Sequence, residues 1–317
     1  MDVLVLSRAE VERLLDLRAL LDALRGALCA LTEGTIAAPA RNELALSEDE
    51  SFLLGMPGRR TTGGPVAVKL VTVVEQNLGR GLPSHLATIT VHDATTGACR
   101  AFLDGTYVTA VRTAATAAVA CDALARPDAR TLAIVGAGVQ GEQHLRTFPL
   151  VRAFEDVRIA SLHRADAERL AAADPRARAV ASAEEAIRGA DVVALATHSA
   201  TPVLDPAWLA PGTHVSSVGY RPPDGELPRA LLADARLFVE TREAFAPTPV
   251  GCAELAGLDP ATATEVGEVL LGRRPGRASR AETTTYKAMG HVAEDLAATE
   301  LVLAAAARDG AGTTVAL

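Results

Sequence analysis

The sequence predicts an α/β protein in which a doubly wound parallel sheet is inserted into an α+β domain with a mainly antiparallel sheet. Three observations carry this reading. A β-rich apolar run feeds a glycine-patterned turn at Thr131-Leu-Ala-Ile-Val-Gly-Ala-Gly-Val-Gln-Gly141; short strand signals crowd residues 42–103; and strand and helix signals alternate through the middle of the chain.

Taken in order, Ser7-Arg-Ala-Glu10 reads as a capping box, and apolar positions recur at helical spacing over 14–31 until Gly34, so the chain is expected to open with helix. Strands are expected over 43–46, 51–56, 66–74, 86–92 and 98–103, separated by turn clusters such as Thr61-Thr-Gly-Gly-Pro65 and Ala94-Thr-Thr-Gly97. An alanine-rich helix over 108–124 leads to the turn Arg126-Pro-Asp-Ala129. Strands over 131–136, 157–161, 191–197, 214–219 and 236–240 then call for a parallel sheet. A final long helix is expected over 283–306, returning to the first domain.

With 317 residues, of which 49% are hydrophobic and 22% charged, the chain is long enough for two domains and has ordinary globular composition. A net charge of −8 argues against a nucleic-acid surface, and no apolar run reaches the roughly 20 residues of a membrane helix. Cys29, Cys99, Cys121 and Cys252 are scattered, and the first residues lack a basic region and a long apolar core, which points to a reducing cytoplasm. The seven histidines form no tight ligand cluster, so no metal site is expected.

The glycine pattern has a physical reading. Gly136 permits the tight turn out of the strand, Gly138 lets the backbone approach a pyrophosphate, and Gly141 lets the following helix pack closely. The anion then rests on the helix N-terminus. This is the fingerprint of a Rossmann dinucleotide-binding unit.

Lys69 alternates with Val68 and Leu70, so it shares a strand face with the apolar Ala67, Val71 and Val73. Two readings stand: an edge-strand lysine that discourages aggregation, or a substrate ligand. Arg112 is a lone cation in an alanine-rich helix and would ordinarily be its solvated position, although a guanidinium there can grip an anion bidentately.

Several motifs occur in one order along the chain: Ala-Val-Lys69-Leu-Val, Gly81-Leu-Pro, Thr109-Ala-Val-Arg112-Thr-Ala-Ala115, the Gly136–Gly141 loop, Ala196-Thr197, Ser217-Val-Gly219, and Tyr286-Lys-Ala-Met-Gly290-His-Val-Ala-Glu-Asp-Leu296. In this the chain resembles the ornithine cyclodeaminase/mu-crystallin family over nearly its whole length. The resemblance implies a substrate-binding and dimerisation domain from 1–112 plus 290–317, a Rossmann domain from 113–289, and a homodimer. It makes Lys69 a substrate ligand and the candidate proton donor, with Arg41 and Arg112 neutralising a substrate carboxylate and Met289 lining the pocket. Met56, Tyr220 and His291 are further candidates for that lining. The implied cofactor contacts are Ser84, Arg112, Thr113, Gly136, Gly138, Val139, Gln140, Gly141, His163, Arg164, Thr197, Val218, Gly219 and Tyr220.

Cofactor choice turns on the end of the second Rossmann strand. A carboxylate there accepts from the ribose hydroxyls of NAD, whereas Ser161-Leu-His-Arg164 offers His163 and Arg164 instead, favouring NADP(H) over NAD(H). Cyclising members of the family carry an aspartate just past the strand ending at Gly219; here Tyr220-Arg-Pro-Pro-Asp224-Gly-Glu226-Leu occupies that place, closer to ketimine-reductase-like members. Asp224 and Glu226 read more readily as a solvated turn before a helix than as catalytic groups. The expected activity is therefore NAD(P)H-dependent reduction of a small 2-imino acid, such as a cyclic ketimine carboxylate. Cyclodeamination of ornithine or lysine with Asp224 as a displaced base, amino-acid dehydrogenation, and a non-enzymatic crystallin-like binding role are the alternatives.

Overall fold

The computed structural model describes residues 2–47 and 51–317. In chain order its strands and helices are β1 (Asp2–Leu6), α1 (Arg8–Leu14), α2 (Leu17–Thr32), β2 (Ile36–Ala37), β3 (Asn42–Ala45), β4 (Phe52–Arg60), β5 (Val66–Val73), β6 (His85–His92), β7 (Cys99–Asp104), α3 (Gly105–Leu124), β8 (Thr131–Val135), α4 (Val139–Thr147), β9 (Asp156–Ala160), α5 (Arg164–Ala171), β10 (Ala177–Ala179), α6 (Ala183–Ile187), β11 (Val192–Leu195), β12 (His214–Ser217), α7 (Arg229–Asp234), β13 (Arg236–Val239), β14 (Thr264–Glu265), α8 (Val266–Leu270), β15 (Thr284–Lys287), α9 (Val292–Asp309) and β16 (Thr313–Ala316). The chain divides into a discontinuous unit, 1–112 with 291–317, and a continuous unit, 113–290; the first division falls within α3.

In the discontinuous unit the strand order is β16-β1-β7-β6-β5-β4-β2, with β3 also paired to β4. Only β1 and β7 run parallel among the described pairs, so the sheet is mainly antiparallel as its short alternating strands require. The inner sheet face carries Leu54, Met56, Val71 and Ala87, which pack with Val292 at the start of α9. Met56 is thus a core side chain, 5% exposed. Capping decides the helix ends: Ser7 and Glu10 form the reciprocal box of α1, and the Asp16 side chain accepts from Ala19 N at 2.8 Å to open α2 as a separate helix.

The continuous unit holds an all-parallel sheet in the order β10-β9-β8-β11-β12-β15-β13-β14. The order reverses between β8 and β11, which creates the crevice beyond the strand ends where doubly wound folds bind ligands. Its core is aliphatic, with Val193, Leu195, Val215 and Val239 fully buried.

Two expectations are corrected. The chain opens with strand β1, because Val3-Leu-Val-Leu6 supplies an uninterrupted apolar run, half of it β-branched, that pairs with β7 and β16. Residues 284–287 form β15 rather than the start of the last helix: Thr284, Thr285 and Tyr286 are β-branched or aromatic, and they fit between β12 and β13. Gly290, at φ 74°, then turns the chain, and the His291 side chain accepts from Ala293 N at 3.1 Å to cap α9.

Candidate active site and dinucleotide cradle

Lys69 sits in the middle of β5, opposite Met56 on β4 and Ile89 on β6, with 1% of its surface exposed. This removes the edge-strand reading. An ammonium in such a place requires a counter-charge, and α9 supplies it: Lys69 Nζ lies 2.7 Å from Asp295 Oδ2. Arg112 of α3, 4% exposed, donates from Nε to Asp295 Oδ1 at 3.1 Å and from Nη1 to Glu294 Oε2 at 2.8 Å. The solvated-position reading of Arg112 is likewise overturned. Both acids occupy the first turn of α9, where the helix dipole favours negative charge.

Two cations and two carboxylates leave this cluster formally neutral. Burial, and then the neighbouring Arg112, press the Lys69 ammonium down to about 8, against the opposing pull of Asp295. Burial works against the Asp295 charge, but Lys69 and Arg112 outweigh it and hold its carboxyl below the usual range. The result is a lysine able to release and regain a proton near neutral pH.

Arg41 lies half-buried just before β3, next to Asn42, whose partner Gly55 adjoins Met56 on β4. It is therefore placed two strands from Lys69. Ser84 precedes β6, and its hydroxyl lies 3.0 Å from His85 Nδ1.

In the continuous unit the glycine turn links β8 to α4. Gly136 has φ 110°, and a Cβ there would strike the carbonyl of Ala196; a Cβ on Gly141 would strike the carbonyl of Gly136. Gly138 differs: it caps α4, and its Cβ position meets no protein atom within 4 Å. Two glycines thus serve packing, and the third leaves open room before the helix N-terminus, which suits a pyrophosphate. Val139, 56% exposed, and Gln140 begin the same helix.

Thr197 follows β11, and Val218, Gly219 and Tyr220 follow β12, so the structure brings these residues to neighbouring strand ends. His163 and Arg164 open α5 after β9, and no carboxylate stands in Ser161-Leu-His-Arg164. Arg164 Nε donates to Glu168 Oε1 at 2.7 Å on the surface. Thr113 is half-buried in α3, and Met289 follows β15, its N donating to Glu240 Oε2 at 3.0 Å. The Tyr220 hydroxyl accepts from Ala253 N at 3.1 Å.

The solvated-turn reading fails for Glu226, which has no exposed surface. Its Oε1 accepts from Ser217 Oγ at 2.8 Å and Gly219 N at 2.7 Å, and its Oε2 from Thr197 N at 2.9 Å and Thr197 Oγ1 at 2.6 Å. Nor does it begin a helix, since α7 starts at Arg229. Asp224 is exposed, in line with a turn.

Sheet order, glycine turn and open helix end define an α/β protein of the doubly wound, dinucleotide-binding class. The chain belongs to the ornithine cyclodeaminase/mu-crystallin family, whose sequence model matches residues 1–309. It is 35% identical over 272 residues to the ketimine reductase mu-crystallin of Mus musculus, covering 85% of each chain. It is 29% identical to a Δ1-pyrroline-2-carboxylate reductase of Bacillus cereus, covering 99% of both. Its fold matches the Δ1-pyrroline-2-carboxylate reductase of Thermococcus litoralis, solved in complex with NADH and L-proline, with a TM-score of 0.92, 30% identity, and coverage of 99% of this chain and 100% of the other.

Proposed function

We propose that the protein is an NAD(P)H-dependent oxidoreductase that reduces the C=N bond of a small 2-imino acid, a cyclic ketimine carboxylate being the favoured substrate class. The observation that carries this reading is the buried Lys69, paired with Asp295 and tuned to about 8, in a chain that also holds a dinucleotide cradle. A ketimine reductase and reductases of Δ1-pyrroline-2-carboxylate among its relatives support it.

When bound, the dinucleotide supplies the hydride that the imine carbon receives. The residues of the chain do the rest. Lys69 Nζ holds the proton destined for the imine nitrogen, and Asp295 keeps that ammonium in place. Arg41 carries the larger share of carboxylate binding, because Nε and Nη1 of Arg112 are already committed to Asp295 and Glu294. Arg112 then orients Lys69 through their shared acid, and Met289 contributes to the substrate pocket. Gly136, Gly138, Val139, Gln140 and Gly141 receive the pyrophosphate; Ser84, Thr113, Thr197, Val218, Gly219 and Tyr220 serve the nicotinamide side; His163 and Arg164 favour the 2′-phosphate of NADP(H). The discontinuous unit is the substrate and dimerisation domain, and the continuous one the dinucleotide domain.

A homodimer is supported by the outer face of the first sheet. Leu44, Leu70, Leu86 and Phe102 are 62%, 43%, 38% and 41% exposed there. Leu70, Leu86 and Phe102 stand on the neighbouring strands β5, β6 and β7, and Leu44 on β3 lies beyond β4, so they give this face the apolar character that a second copy covers. No described helix is long and apolar enough to cross a membrane, and the four cysteines form no disulfide, which suits the cytoplasm.

The test is a panel of five- and six-membered cyclic 2-imino acids with NADPH or NADH, following nicotinamide absorbance while ammonia release from ornithine and lysine is assayed in parallel. Imine-dependent oxidation of the dinucleotide is expected. Ammonia release without net cofactor change would overturn the reductase reading in favour of cyclodeamination.

A further inference from the structure

The continuous unit contains a second buried ionic cluster, separate from Lys69 and used by none of the chemistry above. Lys287 at the end of β15 has no exposed surface, and neither has Glu226; Glu254 is 2% exposed. Lys287 Nζ lies 2.5 Å from Glu254 Oε2 and donates to Ser217 Oγ at 3.1 Å and to the carbonyl of Gly219 at 2.5 Å. Burial opposes its charge, yet Glu254, Cys252 and Glu226 hold its ammonium above the usual lysine range. Glu254 Oε1 in turn accepts from the backbone N of Glu226 at 2.8 Å and of Leu227 at 2.9 Å, which fixes the base of the Glu226 side chain.

The carboxylate of Glu226 and the ammonium of Lys287 converge on one place, the ends of β11 and β12. Glu226 takes both donors of Thr197 on one oxygen and the donors of Ser217 and Gly219 on the other. Gly219 is held through the peptide groups on both sides of it, its N–H by Glu226 and its carbonyl by Lys287. The two loops approach so closely that a Cβ on Gly219 would strike the carbonyl of Thr197 and come within 2.6 Å of Glu226 Oε2. A carboxylate with four donors, buried away from water, is a stiff bracket, because releasing any one donor leaves a buried polar group unsatisfied.

We propose that Glu226 is a positioning residue for the nicotinamide half of the cofactor, setting the spacing of the Thr197 and Gly219 loops that receive it. This rests on the dinucleotide reading of the cradle. Glu226 itself touches no cofactor; it acts through the two loops, with Lys287 and Glu254 as its supports. The bracket leaves the Gly136–Gly141 turn to bind the pyrophosphate independently, so the two ends of the dinucleotide are governed by different residues.

That separation supplies the test. Purified wild type, Glu226→Gln and Ser217→Ala are titrated calorimetrically with NADPH and with 2′-phospho-ADP-ribose, which lacks the nicotinamide, and imine reduction is followed in parallel. In Glu226→Gln an amide NH2 must face donors, so NADPH affinity is expected to fall by about tenfold or more. Affinity for 2′-phospho-ADP-ribose should stay within about twofold, and the KM for imine should move far less than that for NADPH. Ser217→Ala removes one of the four donors and is expected to move NADPH affinity in the same direction by about threefold, which decides the matter if Glu226→Gln does not fold. NADPH affinity that is unchanged, or that falls together with fragment affinity, would overturn the positioning role. Wild type that binds neither ligand, and does not bind NADH either, would instead overturn the dinucleotide reading itself.

Discussion

Asp295 Oδ2 stands 2.7 Å from Lys69 Nζ, joining the first turn of a helix to the middle of a buried strand. Because the other oxygen of the same carboxylate receives Arg112 Nε, one acid holds two cations in register. Asp295 raises the affinity of Lys69 for its proton, whereas burial and Arg112 lower it. With Lys69 as donor, turnover should be level below pH about 8 and fall above it. In Asp295→Asn the supporting charge is gone, so the basic limb of the pH–rate profile should move to lower pH. A limb left in place would exclude Lys69 as the titrating group. Stability carries a second sign: the Asp295 carboxyl is held below its ordinary range in the folded chain, so its contribution is present above about pH 4 and lost as the solution is acidified through the folded value.

Removing the ammonium itself tests the proton assignment. Lys69→Met should lower kcat by about two to four orders of magnitude, the usual worth of a positioned acid. NADPH affinity measured by calorimetry should stay within about twofold, since the dinucleotide groups lie elsewhere in the sequence. The variant also strands part of the Asp295 charge, and losing one partner of a buried pair costs about 3–5 kcal/mol, lessened here by Arg112. Near-normal turnover in a folded Lys69→Met would end the assignment.

Much of this cluster is legible in the sequence. The period-2 pattern around Lys69 placed it on an apolar face, and an isolated arginine among alanines drew attention to Arg112. Their partners are harder to read, because adjacent acids in the first turn of a helix, such as Glu294 and Asp295, are ordinarily solvated, whereas here both are buried. Glu226 reads as exposed because Pro222-Pro-Asp-Gly-Glu226 has the composition of a solvated turn. What buries it is a set of donors at the ends of two strands, and Thr197 is 29 residues away from it in sequence. The long apolar run that follows draws residues 284–287 into the neighbouring helix when the sequence is read alone, although their own β-branching points to strand.

The glycines of the cradle separate packing from binding. At Gly138 a methyl group would meet no protein atom and the backbone has φ −83°, so Gly138→Ala should fold with stability within about 0.5 kcal/mol of wild type. The same methyl group would intrude on a pyrophosphate, and NADPH affinity should fall by about tenfold or more. Gly141→Ala should instead lower the melting temperature, because its methyl group would overlap the carbonyl of Gly136. Unaltered NADPH binding by Gly138→Ala would show that no phosphate approaches this turn.

Arg164 offers the sharpest separation of the two cofactors. It begins α5 at the place where NAD-dependent proteins usually present an acid, and on the surface it pairs with Glu168, 2.7 Å away and four residues along the same helix. Such an exposed pair is worth little, so a 2′-phosphate can compete for the guanidinium. Arg164→Glu places a negative charge where that phosphate would lie. NADPH affinity should fall by about tenfold or more while NADH affinity stays within about twofold, because only the former carries the group being repelled. Stopped-flow titration of both reduced cofactors against wild type and variant reads the difference directly. Equal losses would remove Arg164 from phosphate recognition and leave His163 or the helix N-terminus to perform it.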